Sequence, residues 1–147
     1  MIKNKISNHL IIYSDGGARG NPGPAGIGIY ATSANKHLFS ISEFLGVTTN
    51  NTAEYLAVIR AFEFIIANKL FAQKFSFYLD SQLVVRQIKG EYKVKKPHLQ
   101  KLNLRIKKLI TCLKEESTVE EIEFIHVSRD KNKNADELGN QAIDRLT

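Results

Sequence analysis

The stretch YSDGGARGNPGPAG, residues 13–26, limits the fold more than any other part of the chain. It sets one carboxylate, Asp15, ahead of a run crowded with glycine and proline. Proline has no amide hydrogen and its ring clashes with a preceding helical turn, so Pro22 and Pro24 block a helix entering this stretch. A phosphate-cradling loop needs Lys followed by Ser or Thr after its glycines, and a dinucleotide loop needs a helix. Neither follows. Residues 26–32, GIGIYAT, alternate as a strand does. The stretch therefore predicts a turn between two antiparallel strands, with Asp15 at the C-terminal end of the first, HLIIYSD.

The remaining elements follow from periodicity and caps. KHLFSISEFL reads as a third strand with Phe39, Ile41 and Leu45 on one face. Asn51 can cap a helix from Thr52 to about Ala67, and Asn68 suits a left-handed stop. KFSFYLD alternates Phe75, Phe77 and Leu79 as a fourth strand, and a short helix spans 81–88. Pro97 opens a longer helix carrying Leu99, Leu102, Ile106, Leu109 and Leu113 at helical spacing. IEFIHV is a fifth strand. Asn134, with Glu137 three residues on, caps the last helix. With 147 residues, 43% of them hydrophobic, the chain is expected to form one domain over 1–147. The fold class is α/β: a three-strand antiparallel meander plus two parallel strands, flanked by helices.

This topology gathers acids. A right-handed crossover returns the fourth strand beside the first, so Asp15 and Asp80 end adjacent parallel strands on one edge. Glu54 falls in the first turn of the helix that leaves the third strand there. Asp136 falls in the first turn of the last helix, at the same edge. Each acid alone is an ordinary turn or helix-terminal residue. Four together repel unless a cation neutralises them, and hard divalent ions such as Mg²⁺ take carboxylate oxygens. Two such ions about 3.5–4 Å apart stabilise both oxygens of a phosphodiester displacement.

Charge supports a polyanion partner. The formal net charge is +6, and between Arg86 and Lys114 ten basic residues face one acidic residue, Glu91. A solvated helix face is the alternative for that segment. No apolar run approaches a membrane span, MIKNKISNH lacks the apolar middle of an export signal, and Cys112 is the sole cysteine. These features fit a cytoplasmic protein without membrane contact, with Cys112 as a small core or boundary residue.

The ordered set SDGGARGNPGPAGIG, TNNTAEYLAV, LDSQLVVRQIKG and NADELGNQA resembles type I ribonuclease H, over about Leu10 to Ala142. The resemblance implies the ribonuclease H-like fold. It also implies endonucleolytic hydrolysis of the RNA strand of RNA–DNA hybrids with two Mg²⁺ ions, for which Mn²⁺ can substitute. Products carry 5′-phosphate and 3′-hydroxyl ends, and the enzyme is expected to act as a monomer. The family's catalytic, metal-binding carboxylates fall on Asp15, Glu54, Asp80 and Asp136. Substrate contacts fall on Gly16, Asn21, Asn50, Asn51 and Gln82, and Thr49 with Asn50 matches a pocket for a DNA-strand phosphate. Polar side chains and amides at a minor groove read 2′-hydroxyls. Against that role, Asn51 can serve simply as a helix cap and Asn21 as a turn former.

Two departures stand out. Only EYKVKK separates Gly90 from Pro97, where some relatives carry a basic protrusion, and the chain has no tryptophan. Lys93, Lys95 and Lys96, with the lysines around them, are expected to substitute in part. The loop before Asp136 also lacks the histidine of many relatives. His126 shares its strand face with Ile122 and Phe124, which points it into the sheet layer in a structural role. Arg129 is the better candidate to hold a phosphate there. Rival readings are a broader nuclease that also cuts double-stranded RNA or hybrid junctions, and a non-catalytic nucleic-acid-binding module.

Overall fold

Strand alternation survives in a computed structural model of the protein, which describes residues 8–146. Residues 1–7, most of the stretch read for an export signal, lie outside them. The elements are β1 (His9–Ala18), β2 (Gly23–Ser33), β3 (Lys36–Thr48), α1 (Asn50–Ala67), β4 (Lys74–Leu79), α2 (Gln82–Ile88), α3 (Pro97–Glu116), β5 (Glu121–His126) and α4 (Lys133–Leu146). One five-stranded sheet runs in the order β3-β2-β1-β4-β5. β1–β2 and β2–β3 are antiparallel; β1–β4 and β4–β5 are parallel. This is the expected meander plus two crossover strands.

Period two buries Leu10 and Ile12 of β1 with Phe75, Phe77 and Leu79 of β4 on the face that meets α1. Phe77 stacks on Phe62 of α1 at 4.5 Å and on Phe124 of β5 at 5.1 Å between ring centroids. Such pairs add ~0.5–1.5 kcal/mol beyond area burial. Helix α3 buries Leu99, Ile106, Leu109 and Leu113 as its spacing predicts. Asn103 is buried beside them while Leu102 is half-buried. The Asn103 Nδ2 donates to the Gln87 carbonyl at 3.3 Å, which is what allows a polar side chain there.

Several boundaries correct the sequence reading. β1 continues past Asp15: Gly16, Gly17 and Ala18 pair with Ile27, Gly26 and Ala25. The turn is confined to residues 19–22. Thr49, not Asn51, caps α1, its side chain accepting from the Thr52 amide. Asn68 ends the helix at φ −99°, and the left-handed residue is Lys69 at φ 53°. Glu54 consequently sits in the second turn of α1. At the last helix, Asn134 lies inside α4, and the Asn132 carbonyl accepts from the Asp136 amide at 3.0 Å.

Glycines in β1 and β2 explain why the strands continue. A Cβ on Gly16 would collide with the Ala53 carbonyl group, and one on Gly28 with the Ala135 carbonyl oxygen. α1 and α4 therefore ride directly on the strand backbones, on opposite faces of the sheet. A side chain at either position would push its helix outward.

Candidate active site

The parallel ladder between β1 and β4 ends at Tyr13 and Tyr78. Carried two residues further, the same register sets Asp15 against Asp80 on one face. Gly16 then holds α1 close enough for Glu54 to reach them, and Gly28 does the same for Asp136 on α4. One ligand oxygen each from Asp15, Glu54 and Asp80 lie within 4.8 Å of one another. Asp136 stands beside this trio, its carboxyl hydrogen-bonded to that of Asp15. All four line one cavity of about 590 Å³.

Crowding dictates the electrostatics. Burial, then the charges of Asp80 and Asp136, push the Asp15 carboxyl up to about 8, against a weak opposing pull from Arg129. Burial and the neighbouring Asp15 and Asp80 likewise raise Glu54 well above its usual range, although the Gly16 amide bonds its carboxylate. Two buried oxygens, Glu54 Oε1 and Asp80 Oδ2, have no hydrogen-bond partner among the described residues. Unsatisfied buried acceptors are costly in a fold built from satisfied ones. Clustered, partly orphaned carboxylate oxygens fit a hard divalent cation.

The polar residues divide. Asn51 lines the cavity, as do Gly16 and Asn50. The Asn50 Oδ1 accepts from the Ala18 amide at 2.8 Å, and the Asn21 Oδ1 from the Asn50 amide at 2.9 Å. Both asparagines thus lock the glycine-rich turn to the start of α1, which is more than the turn former expected of Asn21. Thr49 caps that helix, as noted. Gln82 is exposed at the start of α2 and outside the cavity wall, where its neighbour Ser81 lies instead. Lys93, Lys95 and Lys96 are exposed in the 89–96 connection and do not line the cavity either.

Arg129 opens a single 3-10 turn, and its Nε stands 3.9 Å from Asp80 Oδ2, with its side chain 82% exposed. His126 corrects the sequence reading: it is exposed at the end of β5 rather than tucked into the sheet layer. Parity gave its face rightly, but a residue at the last rung lacks a layer above it. Sequence reasoning missed Arg19, Asn140 and Asn132. The first two line the cavity. Asn132 is 1% exposed, and its Nδ2 donates to the Ser14 carbonyl at 3.0 Å, tying α4 to the residue before Asp15. No local pattern marks a hydrogen bond across such a separation.

A mixed sheet that collects carboxylates at the ends of parallel strands, within a basic chain, defines an α/β domain with an acidic cleft suited to a hard cation. The chain belongs to the ribonuclease H family: the RNase H profile matches residues 7–147, and the similarities place it with the type I members. It is 38% identical over 137 residues, 92% of its length, to the "Bifunctional protein Rv2228c" of Mycobacterium tuberculosis. It covers 35% of that protein, so the chain spans about a third of the length of the first curated relatives it matches. Ribonuclease HI of Halobacterium salinarum is 35% identical, across 90% of this chain and 63% of that one. Among solved structures, LC11-RNase H1 in complex with an RNA/DNA hybrid superposes with a TM-score of 0.84 and 44% identity, covering 93% of this chain and 98% of that one.

Proposed function

We propose that this chain is an endonuclease that hydrolyses the RNA strand of RNA–DNA hybrids, leaving 5′-phosphate and 3′-hydroxyl ends. One observation carries the reading: Asp15, Glu54 and Asp80 converge within 4.8 Å with orphaned oxygens, in a member of the ribonuclease H family. The hybrid bound by LC11-RNase H1 supports the substrate. Asp15, Glu54, Asp80 and Asp136 would hold two Mg²⁺ ions, or Mn²⁺ in their place. When bound, such ions generate a nucleophile from water and neutralise charge on the entering and leaving oxygens.

The protein's own groups supply the rest. Asp15 and Glu54 must surrender protons before they can act as ligands, so cation binding releases protons. Asn21 and Asn50 spend their side-chain oxygens on internal bonds, which leaves their Nδ2 donors for sugar and phosphate oxygens. Gly16 and Asn51 on the cavity wall, extended by Thr49 at the cap of α1 and by Gln82 at the exposed start of α2, complete the surface that distinguishes a 2′-hydroxyl from hydrogen. Arg129 stays protonated near neutral pH and so serves as a phosphate holder rather than a base. Lys93, Lys95 and Lys96 add sequence-independent backbone attraction.

One catalytic domain over 1–147, acting as a monomer in the cytoplasm, completes this reading. Its support is a site assembled within one chain and a single cysteine, the half-buried Cys112. No helix among the described residues is long and apolar enough to cross a membrane. The test is cleavage of labelled RNA–DNA hybrid, RNA duplex and DNA duplex with Mg²⁺. Cutting of the hybrid's RNA strand is expected. Equal cutting of RNA duplex would point to the broader nuclease, and binding without cutting to a non-catalytic module.

A further inference from the structure

Among the described residues lining the acidic cavity, only Arg19 and Arg129 are cationic. Arg129 stands at Asp80, while Arg19 follows β1 and is tied to α4. Its backbone amide is fixed by the Pro24 carbonyl at 2.9 Å. Its guanidinium reaches across to α4, with Nη1 2.7 Å from Asp144 Oδ1 and Nη2 3.3 Å from Asn140 Oδ1. Asp136, Asn140 and Asp144 follow one another at four-residue steps, so they share a face of α4. At 1.5 Å per residue, the guanidinium lies about 6–12 Å along that helix from Asp136.

A strand whose scissile phosphate sits over the acids must carry its next phosphates along the cavity. The acids repel them, and something must attract them. The Arg19–Asp144 pair is well placed to exchange. Its side chains are 45% and 63% exposed, and ion pairs of that kind contribute ~0–1 kcal/mol. Asp144 also occupies the last turn of α4, where the helix dipole disfavours an anion. Holding Arg19 over the cavity accounts for an acid there better than helix stability does.

We propose that Arg19 holds a phosphate of the RNA strand next to the scissile linkage, and that Asp144 presents the guanidinium until substrate displaces it. The inference rests on the hybrid-cleaving function above and names a contact within it. A charge-assisted arginine–phosphate contact has the strength to change affinity about tenfold. Steady-state kinetics on a hybrid should therefore show Arg19→Gln raising KM about tenfold at near-wild-type kcat, and Arg19→Lys restoring part of the loss. Asp144→Asn should lower KM, because the phosphate no longer competes with the carboxylate. A purely structural tie would make Arg19→Gln and Asp144→Asn behave alike, and that result overturns the proposal. Binding supplies a readout independent of turnover. In the Asp80→Asn background, neutral methylphosphonates are placed one linkage at a time in the RNA strand. One linkage beside the scissile position should weaken binding with Arg19 present and leave the Arg19→Gln protein unaffected; identical scans refute the contact. A wild-type protein that cuts no hybrid refutes the broader reading instead.

Discussion

Glu123 and Asp15 are carboxylates of one sheet with opposite electrostatic fates. Glu123 on β5 accepts from Ser76 Oγ at 2.6 Å and lies 3.3 Å from Lys74 Nζ. His9 Nε2 closes the cluster at 2.7 Å from the same Ser76 oxygen. The Ser76 bond, followed by Lys74, holds the Glu123 carboxyl below its usual range. Toward the other end of the same sheet, on β1, Asp15 is driven up to about 8. One end finishes its hydrogen bonding within the protein, and the other leaves oxygens open. An acid that the fold has satisfied is structural; crowded acids with open oxygens, those of Glu54 and Asp80 beside Asp15, suit a cation.

The comparison breaks most sharply at turnover. Asp80→Asn should reduce hydrolysis by about three orders of magnitude or more while hybrid binding stays similar or tightens, since one repelling charge is gone. Glu123→Gln should keep turnover within about twofold while losing some thermal stability, as expected of a partly exposed ion pair. Turnover and filter-binding assays on both purified variants check this. Wild-type turnover by Asp80→Asn would erase the distinction between the two ends.

Stability against pH sharpens it further. Folded Asp15 binds its proton more tightly, at about 8, than the ordinary value of 3.8 in the unfolded chain. The metal-free fold therefore binds more protons than the unfolded chain and loses stability as pH rises from about 4 to 8. Glu123 has the opposite sign: its contribution is present above its unfolded value of 4.5 and fades as pH falls below that. In a chelator, Asp15→Asn should raise the melting temperature at pH 8 by roughly 5 °C and flatten its decline with pH. Mg²⁺ should raise the melting temperature of the wild type and do little for the variant. Calorimetry from about pH 3 to about pH 8 tests both signs.

The smallest effect concerns the rim. Arg129→Ala should lower kcat by about tenfold, the scale of one charge-assisted phosphate contact, with little change in melting temperature. His126→Ala, exposed and away from the cavity wall, should stay near wild type. A loss confined to His126→Ala would reverse these roles.

Much of this site was legible in the chain. Strand alternation and the crossover rule place Asp15, Glu54, Asp80 and Asp136 at one edge before any coordinates exist, because period two and right-handed crossovers leave few topologies. What stayed hidden depends on distant partners. TNN offers three polar residues that can each cap a helix, and only the observed backbone selects Thr49. Gly-Gly after Asp15 reads as a turn, yet it is strand paired with β2, and at Gly16 α1 needs bare backbone beneath it. Arg19 stands inside the glycine-rich stretch, but its partner Asp144 lies at the far end of the chain. The exposure of His126 depends on where β5 stops, which alternation does not set.

Gly16 and Gly28 contribute no functional group, yet the interval between the charges is theirs. At each, strand and helix approach to the bare thickness of two backbones. One added carbon leaves every acid in the sequence and dilates the space among them. Damage there takes the form of a wrong length rather than a missing reagent. A random search for inactive proteins should thus return positions that no reaction scheme contains, and adding back a lost chemical group would not repair them.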